Sequence, residues 1–189
     1  ITSFALLLFC SMYAQKFTAA EQNLIKSGSK NDMMRVLQVT DSADVKLLRA
    51  PSADVSLKDE LLPLLIDRMQ VTVNDPANPG VGIAAPQVGI NRNVILVKRY
   101  DKAGEPFEVC LNPKIKWKSV LLRKGMEGCL SIADLTGDVL RHYTIQITYY
   151  DRNGKYHEEM VEGFTAVIFQ HETDHLMGIL FTDRLEQQK

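Results

Sequence analysis

The sequence predicts an α+β fold, with mixed, mainly antiparallel strands packed around one central helix that carries an H-E-x-x-H motif. Three observations predict it. Ile145-Gln146-Ile147-Thr148-Tyr149 alternates apolar and polar residues, the period of a strand with one buried face. Asp151-Arg152-Asn153-Gly154 then supplies a hairpin turn into a second strand, Tyr156 to Val161. The largely apolar segment from about Phe164 to Leu176 reads as a helix, closed by Gly178 as its cap.

The remaining elements follow in chain order. Phe4-Ala5-Leu6-Leu7-Leu8-Phe9-Cys10 is apolar but far short of the roughly 20 residues that span a bilayer. Its length suits the hydrophobic region of a secretory signal cleaved after Ala14, although no basic region precedes it and Met12 fits the cleavage site poorly. An ordinary apolar helix packed on the domain is the rival reading. Thr18-Ala19-Ala20-Glu21 has the pattern of a capping box and opens a short helix that Gly28 ends. Ser56 followed by Asp59 is expected to cap a helix whose apolar face is Leu61, Leu62, Leu65, Ile66 and Met69, with Pro63 either kinking it or marking its true start. Val94 to Val97, Glu108 to Asn112 and Ile115 to Leu122 read as strands. Lys114-Ile115-Lys116-Trp117-Lys118 alternates in the same way, which favours a solvated sheet face over a basic binding patch.

Composition fits one globular domain. The chain has 189 residues, 46% hydrophobic and 24% charged, enough to bury a core of ordinary size. A formal net charge of −1 argues against a general nucleic-acid binder.

Chemistry is concentrated in three places. In Gln170-His171-Glu172-Thr173-Asp174-His175-Leu176, two imidazoles stand at i and i+4, so one helix face presents both to a single metal ion. Glu172 lies between them, where a carboxylate can move protons to and from water. A hydrolytic metal site needs a third protein ligand. His142 and His157 sit in no motif, whereas Cys129, in Glu127-Gly128-Cys129-Leu130-Ser131, offers a thiolate. Taken alone, Cys129 reads as readily as a small buried residue. The third place is Gly80-Val81-Gly82-Ile83-Ala84-Ala85-Pro86-Gln87, small residues around one amide, without the spacing of a dinucleotide or P-loop motif.

Together, G-V-G-I-A-A-P-Q, E-G-C-L-S and Q-H-E-x-D-H-L, in that order, resemble the peptide deformylases from about Met34 to Leu185. The resemblance implies the family's α+β fold and a metal-dependent hydrolase that removes the formyl group from N-formylmethionyl peptides or nascent chains, releasing formate. It assigns Cys129, His171 and His175 as metal ligands, Glu172 as general base and acid, and Gln87 with the Leu130 N–H as donors to the formyl oxygen. It places Val81, Gly82, Glu127, Gly128, Phe164 and Ile168 around the bound peptide; Phe164 and Ile168, at i and i+4, suit core packing equally. The cofactor it implies is one divalent ion, Fe2+ natively, with Zn2+, Ni2+ or Co2+ accepted. Asp174 is expected to support the ligands from outside or to pack the helix.

With the apolar N-terminus and the capping box ahead of the resembling region, the chain divides into residues 1–14 as a signal-like segment, 15–33 as a helical extension and 34–189 as the catalytic domain. Departures from the family pattern are Ala133 in place of a proline and no arginine between Asp134 and Leu140, while Arg141 is retained. The apolar N-terminus points to export, whereas the family's usual work is cytoplasmic. Export would leave Cys110 and Cys129 as an even pair, making a disulfide the alternative to metal ligation. Two other readings stand beside the main one: an exported amidase for other N-acylated peptides, and a non-catalytic peptide- or metal-binding homologue.

Overall fold

The structure is a computed structural model that describes residues 14–186. The expected signal-like segment therefore lies almost wholly outside the described residues. Helix α1 (Ala19–Lys26) opens with the expected capping box: Thr18 Oγ1 accepts from the Glu21 N–H at 3.3 Å, and Glu21 Oε2 accepts from the Thr18 N–H at 2.7 Å. Helix α2 (Ser42–Leu48), which the periodicity did not reveal, is capped by Asp41, whose carboxylate accepts from the Ala43 N–H at 2.7 Å.

Helix α3 (Leu62–Val73) starts later than Ser56 would place it. Pro63 occupies its first turn, where the missing N–H has no helical partner to lose. Asp59 serves the chain elsewhere: its carboxylate accepts from the Phe17 and Leu61 N–H groups.

Seven strands follow: β1 (Gly82–Ala84), β2 (Val94–Lys98), β3 (Phe107–Lys118), β4 (Leu122–Cys129), β5 (Ile132–His142), β6 (Thr144–Tyr150) and β7 (Tyr156–Glu162). All pair antiparallel, in a five-stranded sheet of order β1-β2-β3-β6-β7 and a separate β4-β5 hairpin. A single 3₁₀ turn, Ala85–Val88, links β1 towards β2. Helix α4 (Gly163–Leu176) and the short α5 (Phe181–Glu186) complete the described residues.

Strand period explains the layering. On β2, Val94 and Leu96 point into a core shared with Leu65, Ile66 and Met69 of α3, while Ile95 and Val97 point into a second core with Ile168 and Phe169 of α4. The large sheet is thus covered by a helix on each face. That explains why β2 is apolar without alternation and why α4 is buried almost all round. A third, smaller core of Ile132, Val139, Leu180 and Phe181 fastens the hairpin to α5.

Two expected strands, Glu108 to Asn112 and Ile115 to Leu122, prove to be one irregular strand and the start of another. Asn112 takes a φ of +52° and its side chain pairs with both backbone groups of Val55. With Pro113 unable to donate, the register shifts between Leu111 and Lys114 instead of the strand ending. The strand stops at Lys118, where Ser119 turns the chain: its Oγ donates to the Leu121 carbonyl and accepts from the Thr144 N–H.

One buried charge cluster ties the sheet edge to α4. Arg99, 1% exposed, donates to Asp101, Glu108 and Glu159 and lies over the Phe169 ring at 5.5 Å. Burial works against ionisation of Glu159, but the hydrogen bonds from Arg99 and Tyr149 prevail and hold its pKa at about 2. A folded-state value below 4.5 adds stability that is present above that pH and is lost as pH falls towards 2. Arg99→Met is expected to cost about 3 kcal/mol, the low end for a broken buried pair because its carboxylate partners keep some contact with water. Urea unfolding followed from pH 7 to 2 checks both parts: the midpoint falls, and the variant loses the acid-side dependence that Glu159 contributes.

Candidate metal centre

Helix α4 crosses beneath the mouth between β1 and the β4-β5 hairpin, and this crossing assembles the site. His171, Glu172 and His175 come from the helix, Cys129 from the end of β4, and Gln87 from the 3₁₀ turn. Ligating atoms of Cys129, His171 and His175 lie within 4.8 Å of one another, and Cys129 Sγ is 3.3 Å from His175 Nε2. Such a triangle fits one ion with bonds of about 2.0–2.3 Å to nitrogen and sulfur. Cys110 is buried in β3 and both cysteines are free, so the disulfide alternative is not realised among the described residues.

The surroundings are arranged for a cation. His171 Nδ1 is 2.9 Å from Glu127 Oε2, so the ring donates there and presents Nε2 towards Cys129. Burial opposes charge on His171, but Cys129 and Glu127 as acceptors push its pKa up to about 10. Burial, with His171 nearby, holds His175 well below its usual range, the neutral form a ligand needs. A cluster that draws a proton so strongly towards one imidazole also suits a metal ion in the same place.

Glu172 is 4% exposed, and burial raises its pKa to about 7. Its Oε2 has no hydrogen-bond partner, and its carboxylate rests against the Cα of Gly82. A β-carbon at position 82 would overlap that carboxylate and come within 2.9 Å of Ile168 Cγ2. Gly82→Ala is accordingly expected to displace Glu172 and lower hydrolytic activity by about 100-fold. A kcat/KM within threefold of the parent would show that the close approach is unimportant.

Gln87 is fixed from both ends. Its Oε1 accepts from the Ala84 N–H at 2.9 Å, which aims the amide nitrogen at Ser131 Oγ (3.3 Å) and Cys129 Sγ (3.5 Å). Leu130 follows Cys129 directly and is held by a hydrogen bond from Gln38 Nε2 to its carbonyl, 2.9 Å. These groups open on a cavity of about 690 Å³. Val81, Gly82, Gln87, Glu127, Gly128, Cys129, Leu130, Phe164, Ile168, His171 and Glu172 all line it, while His175 is buried behind. Phe164 stands at its edge, 41% exposed and 5.3 Å from the Tyr100 ring, and Ile168 forms part of the buried wall.

Glu127 lines the cavity, and its carboxylate is in addition engaged by Arg141 (2.7 and 2.9 Å) and by His171, so that its side chain holds a candidate ligand. Sequence reasoning missed how far this network runs. Arg141 also reaches Asp174 at 2.5 Å, and Asp174 accepts from Arg184 at 2.6 and 3.0 Å. No local pattern signals it, because the four residues meet only where the hairpin docks on α4 and α5. Gln170 was quoted without a role, and it clamps α4 to β5 by pairing with both backbone groups of His142.

Comparisons with known proteins agree on one family. The family model described as Polypeptide deformylase matches residues 33–189. A peptide deformylase of Caulobacter sp. (strain K31) is 40% identical over 156 residues, covering 82% of this chain and 89% of that protein. One from Symbiobacterium thermophilum is 40% identical over 151 residues, covering 80% and 67%. Among solved structures, the Met-Ala-Ser-bound class I type b peptide deformylase from Acinetobacter baumannii matches with a TM-score of 0.73 at 37% identity, covering 82% of this chain and 99% of that one. The peptide deformylase from Thermotoga maritima matches with a TM-score of 0.72 at 35% identity, covering 80% and 97%.

Proposed function

The chain belongs to the polypeptide deformylase family and is an enzyme that removes the N-formyl group from N-formylmethionyl peptides, and from that premise we propose which residues do the work. Members of the family are metalloenzymes. In our reading Cys129, His171 and His175 hold one divalent ion, natively Fe2+, a thiolate and two imidazoles being a set that also suits zinc, cobalt or nickel. When bound, such an ion acts as a Lewis acid and lowers the pKa of ligated water from about 16 towards 7.

The chain's own groups then divide the reaction. Glu172 takes the proton from the attacking water and returns it to the departing peptide nitrogen, a role supported by its burial and by its unpartnered oxygen. Gln87 Nε2 and the Leu130 N–H donate to the formyl oxygen as it gains charge; losing one such donor raises a barrier by roughly 3–4 kcal/mol. The carbonyl-side bond of Gln87 to Ala84 keeps the amide aimed, so no reorganisation is needed as the charge develops. Val81, Gly82 and Gly128 give the peptide backbone room to lie flat, and Phe164 and Ile168 wall the space for the methionine side chain. Glu127 positions His171. Nascent chains are the substrate we assign to the enzyme in the cell.

One observation carries this reading: Cys129, His171, Glu172 and Gln87, with His175 buried behind them, converge at one cavity from three separate elements. The test is formate release from formyl-Met-Ala-Ser by anaerobically purified, iron-loaded protein, with elemental analysis alongside. Turnover that chelation abolishes and Fe2+ restores supports it; no formate at full metal occupancy overturns it.

A further inference from the structure

We propose that the corner between β3 and β4 seats on the surface of an anionic phospholipid bilayer. Four apolar side chains stand out into solvent there: Val120 is 97% exposed, Leu121 64%, Trp117 49% and Leu122 46%. None belongs to the three cores. A single exposed leucine is ordinary, but four large apolar groups exposed within residues 117–122 mark a contact surface. The corner is also pinned. Ser119 Oγ bridges the Leu121 carbonyl and the Thr144 N–H, and the Tyr143 N–H donates to the same carbonyl at 2.8 Å.

The charges carried by this stretch of the chain itself are of one sign. From Val109 to Met126 there is no Asp or Glu, whereas Lys114, Lys116, Lys118, Arg123 and Lys124 all fall there, in a chain of net charge −1. Lys114 is paired with Asp54 and Lys124 with Asp138, at 3.3 and 3.2 Å. Lys116, Lys118 and Arg123 have no ion pair among the described residues. Glu158 and Glu162 stand on β7, two strands from β3, and the Glu158 carboxylate is engaged by Gln146 Nε2 at 2.9 Å. Met160, 56% exposed, lies in register with Gln146 and Trp117 and extends the apolar row.

An anionic bilayer satisfies both halves of this surface. Aliphatic side chains enter the acyl boundary, an indole settles at headgroup depth, and lysine and arginine meet lipid phosphates. Ribosomal RNA would meet the cations but leave Val120, Leu121 and Leu122 in water, and a protein partner would need carboxylates to match them. The reaction site stays clear. Cys129 lies seven residues along β4 from Leu122, about 23 Å at strand spacing, beyond the roughly 5–10 Å that such a contact penetrates. The sequence reading of Lys114–Lys118 as a solvated sheet face holds, and the exposed Trp117 and the turn after it extend that face into an amphipathic surface.

The chain has a single tryptophan, Trp117, so its fluorescence reports on this corner alone. The experiment uses the full, metal-loaded chain with vesicles of phosphatidylcholine, alone or mixed with phosphatidylglycerol. On mixed vesicles only, emission is expected to shift to the blue, be quenched by brominated acyl chains, and recover as salt is raised. Leu121→Asp and Lys118→Glu should each weaken this binding about tenfold, with formate release from soluble peptide unchanged. Unaltered emission on mixed vesicles overturns the proposal, as does sedimentation with vesicles that survives both substitutions. A response to ribosomal RNA with none to vesicles replaces lipid by nucleic acid.

Discussion

Glu172→Gln is expected to lower formate release by about 10²–10⁴-fold while metal content stays at the level of the parent. The two side chains have the same shape, and the carboxylate has a free oxygen rather than a structural partnership to lose. His171 remains oriented by Glu127, and His175 faces Cys129 whether or not residue 172 is charged. What disappears is a group that can accept a proton and hand it on. Gly82 makes the effect acute, because it lets residue 172 lie against the cavity wall. Of the other carboxylates that line the cavity, Glu127 is already occupied by Arg141 and His171. Rates measured at saturating iron, with metal content determined on the same sample, decide the matter. Activity within tenfold of the parent, or loss of the metal together with the rate, would remove Glu172 from the proton-transfer role.

The ligand set was legible because helical spacing puts His171 and His175 on one face, a purely local fact. Sheet strands β2, β6 and β7 were legible for a similar reason: short apolar or alternating runs between turn signals. The β4-β5 hairpin was not. Leu122–Cys129 contains Gly125 and Gly128, and its partner strand carries exposed Leu135 and Leu140. With one face on a small core and the other bare, neither period stands out. The start of α3 was left open between a cap at Ser56 and a later start at Pro63, and the second holds, because a proline fits only the first turn. The buried network was illegible for a deeper reason. Glu127, Arg141, Asp174 and Arg184 are distant in sequence, and only the docking of the hairpin on α4 and α5 brings their charges together.

That network carries the second large effect. Arg141→Leu is expected to cost about 3–5 kcal/mol of stability and to weaken metal binding about 10–100-fold. Arg141 is 4% exposed and donates through Nε and Nη2 to Glu127 and through Nη1 to Asp174. Without it Asp174 keeps Arg184, but Glu127 keeps only the His171 ring, so a buried carboxylate loses its principal counter-charge. Glu127 then gains by taking up a proton or turning towards water, and either change frees His171 to rotate away from Cys129. The two losses therefore arise from one cause, and the metal affinity separates them from simple destabilisation. Asp174→Asn is the control, since it disturbs the same arginine and leaves the Glu127–His171 contact in place. It should lower the urea midpoint and largely spare the metal. Equal loss of metal in both variants would show that α4 as a whole, rather than the Arg141–Glu127–His171 chain, sets the geometry. Arg141→Lys is expected to behave like the leucine variant in metal affinity, because one ammonium cannot supply the forked pair of donors that keeps Glu127 turned to His171.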